Sequence, residues 1–214
     1  MHLIWDWNGT LFDDLHIVVE AVNTSLAAIG VGLQIDADGY RDHYRRPVRS
    51  FYDELLERAV SDVEWERINT TFHDAYLDLL PRAAPATDAN RAAEYASQRR
   101  LTQSILSMWT HRLLVPTVTD HGLTDLMIAV RGSDTATGDR KADLLARHLE
   151  ELPVNGGVPT VLIGDTFDDA AAAEAVGIGC VFYNGGSHHR SQLAATGVPV
   201  ADTLIEAIDL AAAL

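Results

Sequence analysis

Residues 2–10 read His2-Leu3-Ile4-Trp5-Asp6-Trp7-Asn8-Gly9-Thr10. Four apolar or β-branched positions run into a cluster of turn formers, which predicts a short buried strand ending at Asp6. The next segment has a different rhythm. From Asp14 to Gly30, Val18, Val19, Val22, Leu26 and Ile29 fall at helical spacing, and Gly30 is a stop signal. Arg41 to Arg46 end a second helix, and Pro47 suits the first turn of a third, with Phe51, Leu55 and Leu56 on one face. Ser61-Asp62-Val63-Glu64 has capping-box spacing and predicts a long amphipathic helix through Trp65, Ile68, Phe72, Tyr76 and Leu80. Nothing between residues 14 and 80 reads as a strand.

After Pro81 and Pro85 strands and helices alternate. A helix over about 88–99 precedes a strand at 101–106. A helical stretch interrupted by Pro116 precedes a strand near 126–130. Helices at 140–151 and 168–176 precede strands at 160–163 and 179–183, ordered helix before strand in the first pair and strand, helix, strand thereafter. Two short helices finish the chain. Alternation of this length predicts an α/β fold, a doubly wound parallel sheet with a Rossmann-like core. The first strand is cut off from its partners by a helical insertion. Two domains are therefore expected: a core from residues 1–13 and 82–214, and an inserted α-helical cap over 14–81.

Composition narrows the function. The chain has 214 residues, 47% hydrophobic and 22% charged, with a net charge of −15. Such an acidic surface repels phosphate backbones and anionic lipid, so neither nucleic acid nor a membrane surface is an expected partner. One cysteine, Cys180, makes no internal disulfide. No apolar run is long enough to span a bilayer, and Met1-His2-Leu3-Ile4-Trp5 has no basic signal-peptide region, so a cytoplasmic location is expected. Fifteen of the sixteen basic residues are arginine; the exception is Lys141.

In a doubly wound sheet, ligands bind beyond the carboxyl ends of the strands. Asp6 and its turn end the first strand, and Ser107 ends the second. Lys141 opens a helix, and Gly164-Asp165-Thr166-Phe167-Asp168-Asp169 follow the fourth strand. Singly, each has an ordinary structural role. Asp6 forms a turn, Asp168 or Asp169 caps a helix, Ser107 caps, and Lys141 is a solvated charge. Together they bring several carboxylates and one ammonium to one sheet edge. Clustered carboxylates repel unless a cation neutralises them, and hard Mg²⁺ suits oxygen ligands beside a phosphate.

In that order and spacing, Asp6-Trp7-Asn8-Gly9-Thr10-Leu11, Ser107, Lys141 and Gly164-Asp165-Thr166-Phe167-Asp168-Asp169 resemble the four motifs of the haloacid dehalogenase superfamily. The helical insertion and the stretch from Tyr183-Asn184-Gly185-Gly186 are similar to its phosphoglycolate phosphatase-like subfamily. The resemblance implies a Mg²⁺-dependent phosphatase acting on a small phosphorylated metabolite, phosphoglycolate-like or a sugar phosphate. Asp6 is then the nucleophile, forming an aspartyl-phosphate. Mg²⁺ is held by Asp6, the Asn8 carbonyl and Asp165, with Asp169 directly or through water. Thr10, Ser107 and Lys141 grip the transferring oxygens, and Gly9 and Met108 complete the substrate site. His43, Arg45, Arg46 and Arg49 of the cap are candidates for reading the rest of the substrate; the alternative is a solvated helix face. A monomer or homodimer is expected.

One position departs from the pattern. Family phosphatases carry a second aspartate two residues after the nucleophile as general acid and base; here it is Asn8. A carboxamide cannot shuttle protons near neutrality. Three outcomes stay open: a slow phosphatase; a proton supplied by Asp13, Asp14, His43 or the substrate; or a weakened protein that binds phosphate or a metabolite in a regulatory role. Intact carboxylates and lysine favour the enzyme. A phosphonoacetaldehyde hydrolase needs a cap lysine, absent here; dehalogenases do not need the acidic fourth motif; and mutases depend on the missing aspartate. His188-His189-Arg190, after the Asn184-Gly185-Gly186 turn, are expected at the surface, with a place lining the site entrance as the alternative, and Trp7 is expected as a wall of the substrate cavity.

Overall fold

The protein is described from a computed structural model, over residues 1–134, 140–153 and 157–214. In chain order the elements are β1 (His2–Trp5), β2 (Phe12–Asp13), α1 (Leu15–Ala28), α2 (Ala37–His43), α3 (Val48–Leu55) and α4 (Asp62–Leu79). Then come β3 (Ala84–Pro85), α5 (Ala89–Gln98), β4 (Thr102–Thr110), α6 (His111–Asp120), β5 (Ala129–Ser133) and α7 (Lys141–Glu151). The chain ends with β6 (Thr160–Gly164), α8 (Phe167–Val176), β7 (Gly179–Tyr183), α9 (Arg190–Ala194), β8 (Val200–Ala201) and α10 (Leu204–Ala211).

Two compact units result. One holds residues 1–13, 85–186 and 190–214; the other holds 14–84 and 187–189. The first is an α/β unit around a six-stranded sheet ordered β5-β4-β1-β6-β7-β8, parallel throughout. β1 lies between β4 and β6, with Ile4 opposite both Ser104 and Leu162. Its four residues are all buried, which is why its sequence is nearly continuous in apolar character.

Alternation along β1 assigns each residue a face. Ile4 points to α7 and α8, where it packs with Leu106, Leu144, Leu145, Leu162, Ala172 and Ala173. Trp5 points the other way and donates its indole N–H to Gln103, 3.0 Å, which in turn reaches the Ala93 carbonyl of α5, 2.9 Å. His2 shares the Ile4 face. Its Nε2 contacts Ser104 Oγ, 2.9 Å, and the same hydroxyl contacts His148 of α7, 2.8 Å. Burial, reinforced by the amino terminus, lowers the His2 pKa to about 4; burial, with Arg131 and then His2 nearby, lowers that of His148 to about 4. Both rings are therefore neutral at ordinary pH, which lets this buried chain persist without a counter-ion.

The second unit is helical. α1 packs along α4, and its core joins Leu15, Val22, Leu26, Tyr40, Phe51, Tyr52, Leu55, Val60 and Ile68. The capping box forms as expected: Glu64 N donates to Ser61 Oγ, 3.3 Å, and Ser61 N to Glu64 Oε2, 3.0 Å. Trp65 and Phe72 pack on the core, and the Tyr76 hydroxyl donates to Asp14, 2.8 Å. No strand lies between residues 14 and 83.

Two local expectations need correction. β4 does not end at Leu106 but continues to Thr110, through a register shift against β5. β5 begins at Ala129, because Thr124–Leu126 form a 3₁₀ turn instead of strand. The short strand β8 had no sequence signal. No helix among the described residues is long and apolar enough to cross a membrane.

Candidate active site

Asp6 is the first residue beyond β1, and its N–H still joins the ladder, donating to the Ile163 carbonyl at 2.8 Å. Strand alternation turns its side chain to the face of His2 and Ile4, the face covered by α7 and α8. Both helices begin there. Lys141 is the first residue of α7, and Asp169 lies in the first turn of α8. The three side chains meet because one strand ends and two helices begin at one edge of one sheet.

Lys141 Nζ contacts Asp6 Oδ2 at 2.8 Å and also pairs with Asp169 Oδ1. The other Asp6 oxygen accepts from Trp7 N, 2.8 Å. Asp169 Oδ2 accepts from Thr166 N, 2.9 Å, and Thr166 Oγ1, 2.6 Å. Asp165 Oδ1 accepts from Thr10 Oγ1, 3.3 Å. Oxygens of Asp6, Asp165 and Asp169 lie within 4.8 Å of one another, and all three residues are buried. Burial pushes the Asp6 carboxyl up to about 6; the Lys141 ammonium opposes that rise and Asp169 adds to it. Burial alone would lower the Lys141 pKa, but Asp169 and Asp6 outweigh it and hold the ammonium above the ordinary lysine range. Its side chain is only 6% exposed, so water screens these pairs little.

Other expected residues stand as follows. Asn8 Oδ1 accepts from Ser107 Oγ, 3.4 Å, and Ser107 Oγ accepts from Trp109 N, 3.0 Å. Ser107 lies within β4, where the register shifts, rather than at a strand end. Met108 follows it, half-buried. Gly9 has φ +72°, and a Cβ there would stand 2.6 Å from Asp165 Oδ2. His43, Arg45 and Arg46 belong to the helical unit. There His43 Nδ1 lies 3.4 Å from Glu54 Oε1, Arg45 pairs with the same carboxylate, and Arg49 donates to Asp62, 2.7 Å.

Two expectations fail. Trp7 is fully buried and stacks on Phe12 with centroids 5.0 Å apart, so it packs in the α/β unit instead of walling a cavity. His188 is not a surface residue: it is 3% exposed and meets Tyr44 edge-on at 5.4 Å, while His189 contacts Asp42 at 3.0 Å.

Sequence reasoning missed two glycines. A Cβ on Gly164 would collide with the Asp169 carboxylate, and one on Gly186 would collide with Asp165. Bare backbone at these points lets the carboxylates turn inward. In the sequence the Gly185-Gly186 pair marks only a turn in the stretch that resembles the subfamily. Thr166, which fixes Asp169, stands in the sequence only as a member of the fourth motif.

The profile of the haloacid dehalogenase-like hydrolases matches residues 3–183, from β1 through β7. The chain belongs to this family. A phosphoglycolate phosphatase of Mesorhizobium japonicum is 27% identical over 183 residues, covering 82% of this chain and 79% of its own. A phosphoglycolate phosphatase of Pseudomonas fluorescens is 22% identical, over 90% of this chain and 72% of its own. Among solved structures, a haloacid dehalogenase-like family hydrolase from Streptococcus pneumoniae superposes with a TM-score of 0.82 at 18% identity, covering 98% of both chains. Protein Tyrosine Kinase A of Mycobacterium tuberculosis superposes with 0.80 at 18% identity, over 98% and 96%. The haloacid dehalogenase-like fold thus spans proteins named for different phosphoryl chemistry, and the fold alone does not select one.

Proposed function

We propose that this chain is a Mg²⁺-dependent phosphatase of a small phosphorylated metabolite, working through an aspartyl-phosphate on Asp6. One observation carries the reading: Asp6, Asp165 and Asp169 converge, and the chain's single lysine pairs with Asp6 and Asp169. Three carboxylates and one ammonium sum formally to 3 × (−1) + 1 = −2. That residual charge, on hard oxygen donors, fits a divalent cation. Asp6, Asp165 and the Asn8 carbonyl would hold it, with Asp169 directly or through water. When bound, the ion supplies charge neutralisation between nucleophile and phosphate.

The chain's own residues do the rest. Asp6 attacks phosphorus, forming an Asp6–phosphorus bond as the bond to the leaving oxygen breaks. Water then displaces Asp6 and releases inorganic phosphate. Lys141 has three N–H donors; two go to Asp6 and Asp169, which leaves one for a phosphate oxygen. Thr10, Ser107, Gly9 and Met108 complete the grip on the phosphoryl group. The helical unit serves as a cap that excludes water, and His43, Arg45 and Arg46 read the distal part of the substrate. Phosphoglycolate is the first substrate to test, because the curated relatives carry its name; sugar phosphates come next. The protein works in the cytoplasm as a monomer or homodimer.

The test is p-nitrophenyl phosphate hydrolysis with Mg²⁺. Turnover should vanish with a chelator and in Asp6→Asn. Turnover that survives Asp6→Asn removes the nucleophile assignment, and no turnover on any phosphate favours a binding or regulatory role.

A further inference from the structure

A departing alkoxide needs a proton, and the group that supplies it must be acidic near neutral pH and within reach of the leaving oxygen. The described side chains joined by hydrogen bonds and ion pairs to Asp6, Asp165, Asp169 and Asn8 offer no such group. Asn8 is a carboxamide, and its Oδ1 accepts a hydrogen bond from Ser107, 3.4 Å. Ser107 and Thr10 are aliphatic hydroxyls, and Thr10 already donates to Asp165, 3.3 Å. Lys141 is held in ion pairs with two carboxylates. Asp169 accepts on both oxygens, from Lys141 and from Thr166. Asp165 accepts from Thr10, and the backbone at Gly9 and Gly186 closes on its carboxylate.

From this set, and resting on the phosphatase reading above, we propose that the site is built for phosphates whose leaving group departs as a stable anion without a proton. Acyl phosphates and other phosphoric anhydrides are the substrate class, ahead of alkyl phosphates. The step balances without a general acid. The Asp6–phosphorus bond forms, and the bond from phosphorus to the acyl oxygen breaks with its electron pair, which leaves as a carboxylate. Water then adds to phosphorus, the Asp6–phosphorus bond breaks, and the water's proton ends on phosphate or solvent. An alkyl ester at the same site must expel an alkoxide unaided, a handicap of about 10²–10⁴ in rate.

The experiment compares kcat/KM with Mg²⁺ for acetyl phosphate, p-nitrophenyl phosphate, phenyl phosphate and phosphoglycolate. The expected series falls steeply as the leaving group becomes more basic, by roughly 10² or more from acetyl phosphate to phosphoglycolate. Asn8→Asp should flatten it by raising the phenyl and alkyl members relative to p-nitrophenyl phosphate. Asn8→Ala should keep it steep, and the wild-type series stands alone should either variant fail to fold. A shallow wild-type series, all four within about tenfold, overturns the inference while leaving the phosphatase reading intact, because some other group then protonates the leaving oxygen. No turnover of acetyl phosphate or p-nitrophenyl phosphate overturns both.

Discussion

Replacing Lys141 by methionine keeps the length of the stem and deletes the charge that Asp6 and Asp169 share. The ammonium is 6% exposed, and the Asp169 side chain is fully buried. Removing one partner of a buried pair leaves an uncompensated charge and costs about 3–5 kcal/mol. For a chain of this size 1 kcal/mol moves Tm by roughly 2–4 °C, so metal-free Lys141→Met should melt about 6–20 °C lower at pH 7. The loss should depend on pH in a defined sense. Asp6 titrates near 6 in the folded protein against an ordinary value of 3.8, even with the ammonium beside it. A carboxyl raised on folding favours the native state when protonated, and that gain disappears as pH climbs through the folded value. Without Lys141 the Asp6 pKa moves higher still, so the deficit should shrink toward pH 4 and be complete well above pH 6. Thermal melts followed by circular dichroism at pH 5 and pH 7.5 in chelator would show this. A loss under about 2 °C, or one equal at both pH values, would mean that Lys141 is not the counter-ion of this cluster.

Gly186→Ala drives a Cβ into Asp165 and should weaken Mg²⁺ binding, read from the ion's effect on Tm, by about 10–100-fold; Gly32→Ala, where a Cβ meets open space, should change nothing. His2 and His148 titrate near 4 against 6.5 unfolded, so the unfolded chain takes up protons that the native one refuses. Stability should fall as pH drops from about 6.5 to 4, and urea titrations of His148→Gln should show that acid limb reduced by about one proton. Ser61→Ala removes the capping box of α4 and should cost about 1 kcal/mol in the same assay, with Ser61→Asp restoring most of it.

Sequence alone reveals those features whose causes are local. β1 is legible because four consecutive buried residues at the centre of a parallel sheet leave no polar face. α4 is legible because Ser61 and Glu64 announce its start. The carboxylates of Asp6, Asp165 and Asp169 are legible because strand ends in such a sheet share one edge. What escaped depends on contacts distant in sequence. The extension of β4 through Met108 to Thr110 rests on pairing with Ser133, across a register shift that no period in the sequence marks. The burial of His188 comes from Tyr44, 144 positions earlier in the chain. Gly164 and Gly186 matter only because carboxylates from other positions press on them, and a glycine in a sequence does not say what approaches it.

The place of β1 has a consequence for biosynthesis. The strand leaves the ribosome well before its two neighbours, which begin only at Thr102 and Thr160. Residues 14–84 can condense on their own neighbours while translation continues, whereas β1 must wait, apolar and unpaired, for β4 and then for β6. The strand that aims Asp6 is thus made long before the strands that secure it, and it stays open to mispairing while the residues between them are synthesised.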